Sequence, residues 1–145
     1  MEERNECGNE ITFIVPGHCV PAVRTTQRQQ FVCKNYAKYQ AYKSYFGTLA
    51  ATEKNKIGGF YCPPKSAIIL ETKIFRYRKN RVDVDNLLKS IMDSLTGILW
   101  DDDSQVFSAT AKKFWVRSEE EEHVKVWIKH MSYTEYENII ETGVN

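Results

Sequence analysis

Residues 81–105 read RVDVDNLLKSIMDSLTGILWDDDSQ, and the fold turns on how this stretch is parsed. Asp85 stands directly before Asn86, Leu87 and Leu88, where a short side-chain oxygen can accept a bond from an orphan backbone N–H and cap a helix. Leu88, Ile91, Met92, Leu95 and Leu99 then recur at helical spacing. Gly97 supplies the left-handed residue that commonly ends a helix. The stretch therefore predicts a helix from Asp85 to Thr96, fed by a strand and followed by another.

Upstream, residues 66–77 form the clearest strand, with Ile68, Leu70, Thr72 and Ile74 on one face and Glu71, Lys73 and Phe75 on the other. Ile11 to Val15 reads as a shorter strand closed by Pro16 and Gly17. From Lys34 to about Thr52 the spacing of Tyr39, Tyr42, Phe46 and Leu49 is helical, which makes this aromatic stripe core rather than a base-stacking platform. Residues 18–31 and 55–65 read as loops, the second marked by Gly58, Gly59, Pro63 and Pro64. Downstream, residues 105–116 and 123–130 are expected to form a hairpin, with Val124, Val126 and Ile128 facing inward and Lys125, Trp127 and Lys129 outward. The tail 131–145 reads as a short helix or a disordered end.

The expectation is one α/β domain over residues 1–145, core about 11–130, with a mixed sheet of about four strands and two main helices. A chain of 145 residues, 42% hydrophobic and 27% charged, suits such a domain. No apolar run approaches the roughly 20 residues of a membrane span, and the polar N-terminus lacks a signal-peptide core. A cytoplasmic protein with no membrane partner is expected. Cys7, Cys19, Cys33 and Cys62 form no C-x-x-C pair, and His18, His123 and His130 complete no zinc spacing, so free thiols and no structural zinc are expected.

The net charge of +1 hides a segregation. Residues 11–52 hold no acid, and Arg24, Arg28, Lys34, Lys38 and Lys43 fall there. A second acid-free run carries Lys73, Arg76, Arg78, Lys79 and Arg81. Each run alone would suit a solvated helix face or a guarded edge strand. Flanking a carboxylate cluster, they suit a protein that grips phosphates, with Arg24, Arg28, Lys34, Lys38, Arg76, Arg78, Lys79 and Arg81 as candidate DNA contacts.

That cluster comprises Asp83, Asp85 and the run Asp101, Asp102, Asp103. Carboxylates so gathered repel one another, so they are either left in water or neutralised by a cation. Mg²⁺ takes one or two carboxylates and fills its other positions with water and phosphate. Singly, each aspartate reads as a cap or a turn. A cap, however, needs neither a second aspartate two residues earlier nor Lys89 four residues later on the same face.

Asp83, Asp85, Asn86, Leu87, Lys89, a helix, Trp100, Asp102, Asp103 and Gln105 stand in an order and spacing that resembles the RusA-like Holliday-junction resolvases, often carried by prophages. Weaker likeness upstream, at residues 11–17, Pro21 and Arg24, extends the resemblance over about residues 11–130. It implies a Mg²⁺-dependent endonuclease, with Mn²⁺ as a possible substitute and no nucleotide cofactor. Such an enzyme acts as a homodimer on four-way DNA junctions, cutting paired symmetric nicks in recombination and repair. By motif position Asp83, Asp85 and Asp103 correspond to the metal carboxylates, with Asp102 beside them, and Lys89 to the essential lysine. Three aspartates stand where the family has two; Asp103 keeps its distance to Gln105. Two rival readings are a metal nuclease for other branched DNA and a non-catalytic junction-binding protein whose aspartates are caps.

One geometric question is independent of the resemblance. A helix from Asp85 to Thr96 advances about 17 Å, and a parallel strand reached through it starts at the end opposite Asp83. Either residues 97–103 reach back roughly 20 Å in extended form, or Asp103 meets Asp83 and Asp85 of a second subunit whose helix lies antiparallel.

Overall fold

The computed structural model describes residues 8–24, 34–78 and 80–142. Its elements are β1 (Glu10–Pro16), α1 (Lys34–Lys56), β2 (Ala67–Arg76), α2 (Val84–Leu95), β3 (Val106–Trp115), β4 (His123–Met131) and α3 (Tyr133–Thr142), with short 3₁₀ turns at Asp103–Gln105 and Glu119–Glu121. The strands form one sheet in the order β1-β4-β2-β3. Strand β4 runs antiparallel to both its neighbours, and β3 runs parallel to β2. The α/β class and the four-stranded mixed sheet agree with the sequence; the tail adds a third, short helix.

The expected hairpin is not there. Helix α2 carries the chain across so that β3 enters parallel to β2, on its outer edge. The chain then crosses the end of the sheet and inserts β4 between β1 and β2. Burial explains the choice: Val124, Val126 and Ile128 are fully covered, whereas β3 is mostly exposed. The most apolar alternation takes the centre, and short chain distance loses to it.

Both long helices cover one face of the sheet. Ile11, Phe13, Ile68, Leu70, Ile74, Val126 and Ile128 pack there against Phe46 and Ala50 of α1 and Leu87, Ile91 and Leu95 of α2. The helices approach closely because α1 has a glycine where they cross: a Cβ on Gly47 would stand 3.3 Å from the Ser94 carbonyl oxygen. Facing it, α2 buries only small polar residues, Ser90 and Ser94, the latter hydroxyl returning a bond to the Ser90 carbonyl at 2.7 Å.

Helix α2 begins earlier than its sequence suggests. Asp83, not Asp85, occupies the N-cap, in extended conformation, and its carbonyl accepts from the Asn86 and Leu87 amides at 3.2 and 3.3 Å. At the other end Gly97 takes a φ of 88°, as a helix-ending glycine should. Cys19 and Cys62 are free and buried, and burial pushes their thiols up to about 11 and about 12; Cys7 and Cys33 lie outside the described residues. Among the described residues no helix is long and apolar enough to cross a membrane.

Candidate active site

The N-terminal end of α2 presents two carboxylates. Asp83 sits in the capping position yet makes no side-chain capping bond, so its oxygens stay in solvent. Asp85, in the first turn and also exposed, accepts only from the neighbouring Asn86 amide at 3.0 Å. Two cross-links steady this turn. Lys113 of β3 donates to the Val82 carbonyl at 2.7 Å, and the Ala22 amide donates to the Asn86 carbonyl at 3.1 Å, docking the segment that carries Arg24 onto the helix start. Sequence reasoning missed Lys113; its only signal is a second lysine, Lys112, breaking the alternation of β3.

At the C-terminal end the three aspartates part company. Asp101 accepts from the Tyr61 hydroxyl, a bond that lifts this exposed phenol to about 12. Asp102 caps the following 3₁₀ turn, accepting from the Ser104 hydroxyl and from its amide at 3.0 Å, and these bonds hold its carboxyl below the usual range. Asp103, half-buried, accepts through one oxygen from the Thr96 hydroxyl and from the Trp100 indole N–H at 3.4 Å. Beneath them lies Gln105, buried. Its carbonyl accepts from the Asp101 and Asp102 amides at 3.0 Å each, and its NH₂ donates to the Pro63 carbonyl at 3.0 Å. The glutamine of the motif is therefore the clamp that shapes the aspartate loop. Asp101 and Asp102 are spent on local structure, and Asp103 keeps an oxygen free.

Between the two ends, Lys89 reaches Asp93 at 3.3 Å, an i,i+4 pair on a partly exposed face and so worth only tenths of a kcal/mol. The other Asp93 oxygen accepts from the Tyr39 hydroxyl. Burial, that bond and the negative charges of Asp93 and Asp103 push the Tyr39 phenol far up, keeping it a neutral donor.

Asp83, Asp85 and Asp103 are thus not brought together within one chain. Asp83 caps the start of a 12-residue helix and Asp103 is bonded to Thr96 at its end, about 18 Å of helix away. Among the described residues no three acidic, histidine or cysteine side chains converge on one point. Of the two routes open from the sequence, the extended return of residues 97–103 is not taken. Asp85, Leu88, Lys89, Met92 and Thr96 instead form one stripe along the side of α2 that the core leaves partly uncovered.

The basic residues divide as well. Arg24, Lys34, Lys38, Arg78 and Arg81 are exposed. Lys38 and Arg78 line a cleft of about 520 Å³, together with His18, Asn80 and Val82, at the end of the sheet from which the chain runs into Asp83. Arg28 and Lys79 lie outside the described residues. Arg76 departs from expectation: it shares the inward face of β2 with Thr72 and Ile74 and is 1% exposed. Its guanidinium donates to Asn80 at 2.8 Å, to His18 Nε2 at 3.0 Å and to the Cys19 carbonyl at 3.4 Å. His18 Nδ1 donates in turn to Glu122 at 2.7 Å, which also accepts from the Tyr77 amide at 3.0 Å. Burial alone would raise the Glu122 carboxyl. The bonds from His18 and Tyr77 and the nearby charges outweigh it and hold the group low. Arg76 is a buried support of the cleft wall, committed to protein partners.

The sequence model of the endodeoxyribonuclease RusA family matches residues 16–129, from the end of β1 through nearly all of β4. No curated protein matches the chain.

Proposed function

The chain belongs to the RusA endodeoxyribonuclease family, and from that premise we propose that it resolves four-way DNA junctions as a homodimer, cutting paired symmetric nicks with Mg²⁺ held by Asp83, Asp85 and Asp103. The observation that carries this reading is the placement of carboxylates with unbonded oxygens at both ends of one partly uncovered helical stripe. Two copies of α2 packed antiparallel through Leu88 and Met92 would lay Asp103 of one subunit beside Asp83 and Asp85 of the other. A two-fold pair of this kind is the commonest protein oligomer and matches the two-fold pairs of strands in a junction.

The donor chemistry fits a hard divalent ion. Asp83 leaves its carboxylate unspent where a helix cap would use it, Asp85 is exposed, and Asp103 is aimed by two bonds to a single oxygen. Mg²⁺ or Mn²⁺ bound by them would polarise the scissile phosphate and lower the pKa of a bound water. Lys89 lies on the same stripe, and leaving its weak contact with Asp93 would place its charge against the phosphate as negative charge builds there. Arg24, Lys34, Lys38, Arg78 and Arg81 would hold the flanking backbone and set its register without reading sequence.

Strand cleavage of a labelled four-way junction beside a linear duplex, with and without Mg²⁺, tests the proposal. Paired nicks in the junction alone, abolished by removing the metal or by Asp85→Asn, are the expected result. Tight junction binding without cleavage in either Mg²⁺ or Mn²⁺ would make the protein a binding module. Equal cleavage of flaps and forks would make it a broader branched-DNA nuclease.

A further inference from the structure

The face of the sheet turned away from α1 and α2 carries a line of positive charge that the carboxylate site does not use. Lys73 on β2 is directly opposite Lys112 on β3 and directly opposite Lys125 on β4. All three are exposed. Side chains so paired have Cβ atoms about 5 Å apart, and like charges at that spacing oppose one another. Among the described residues none of the three forms an ion pair.

The neighbouring rows offset them only in part. On one side Phe75 stacks between Phe114 and His123, with ring centroids 4.9 and 4.2 Å away, so the rings cover one another and form an aromatic wall without an acid. On the other side lies a groove of about 210 Å³ lined by Thr12, Glu71, Lys73, Lys125 and Trp127. Trp127 is fixed by its indole N–H, which donates to Glu10 at 2.7 Å. One of the face's acids is thereby engaged, leaving Glu71 on the row beside three lysines.

A repulsive lysine row kept at the middle of a sheet face is explained by an anionic partner long enough to meet all three charges. We propose that this face is a second DNA surface, which holds the phosphate backbone of a duplex arm. Adjacent strands are about 4.8 Å apart, so the row spans about 10 Å, and duplex DNA offers a negative charge every 1.7 Å or so along its axis. Subunits joined through α2 would turn the two lysine faces outward, toward arms that leave the crossover. The proposal rests on the DNA-acting reading above but does not involve the carboxylates.

The test measures junction and duplex affinity against salt concentration for metal-free Asp85→Asn protein, with and without Lys73→Gln, Lys112→Gln and Lys125→Gln together. Removing three phosphate contacts per subunit should lower the slope of log affinity against log salt by about 2–3 where one face is occupied and by about 5 for a junction held by both faces, and weaken binding at least tenfold at low salt. The corresponding triple Lys→Arg variant should keep both. The Gln variant should melt no lower than its parent, because its row no longer repels itself, so lost binding would not reflect unfolding. Unchanged slope and affinity would overturn the proposal. Unchanged affinity with a lost dimer in sedimentation would make the face a subunit interface instead. Absence of DNA binding by the parent protein would bring down the DNA-acting reading itself, a result distinct from the other two.

Discussion

Asp103 is hydrogen-bonded to Thr96, the residue that ends the helix whose first cap is Asp83. The separation of these carboxylates within a chain is therefore set by a rigid helix rather than by loop slack. Closing it inside one subunit would break the Thr96 and Trp100 bonds to Asp103 and melt the end of α2. A shared site between subunits requires neither.

Mixing subunits makes this measurable. A dimer of one Asp83→Asn and one Asp103→Asn subunit would contain one wholly native site and one doubly altered site. Random mixing should then recover about a quarter of wild-type sites, since half the pairs are mixed and the commonest dimers are two-fold. Gel analysis should show single nicks without paired resolution. Sites confined to one chain predict no recovery, because every site would carry a substitution.

Gln105 should matter as much as the aspartates it holds. Gln105→Leu strips the Asp101 and Asp102 amides and the Pro63 carbonyl of their partner. Buried groups left unpaired cost about 1–3 kcal/mol. Chemical denaturation should register that loss, and junction cleavage should fall because the loop that carries Asp103 loses its support. A variant of wild-type stability would show that the clamp is dispensable.

Glu122 couples stability to pH. Its carboxyl titrates lower in the folded chain than a free glutamate, near 4.3, so its stabilisation is complete above that value and is lost as pH falls through the lower folded value. Glu122→Gln should cost about 1–2 kcal/mol at neutral pH, because the bonds from His18 and the Tyr77 amide then end on a neutral amide instead of a carboxylate. The melting temperatures of variant and parent should converge as the pH drops below about 4. A gap independent of pH would show that the charge of Glu122 contributes nothing.

Local patterns in the chain were sound guides to local structure. The alternation from Ile68 to Phe75 assigned both faces of β2 correctly, and Gly97 marked the end of α2. What failed depended on partners remote in sequence. The β3–β4 hairpin was inferred from nearness along the chain, whereas burial of Val124, Val126 and Ile128 drew β4 into the centre. Arg76 counted as a DNA contact because its neighbours are basic; the parity of its strand turned it inward, toward a histidine 58 residues earlier. Within the aspartate stretch, residue types pointed to a cluster. Which aspartate is spent on a turn became visible only once Ser104, Tyr61 and Thr96 stood beside them.

The place of β4 also governs how the chain is born. Strand β1 finds its pairing partner in β4 alone, so during synthesis Ile11, Phe13 and Val15 leave the ribosome with nothing to pair against. At about 5–20 residues per second, the roughly hundred residues in between keep that apolar segment waiting for some 5–20 seconds. A nascent chain halted before β4 would thus expose strand edges at both β1 and β2, and chaperone capture should peak there and collapse as Val124 to Ile128 emerge.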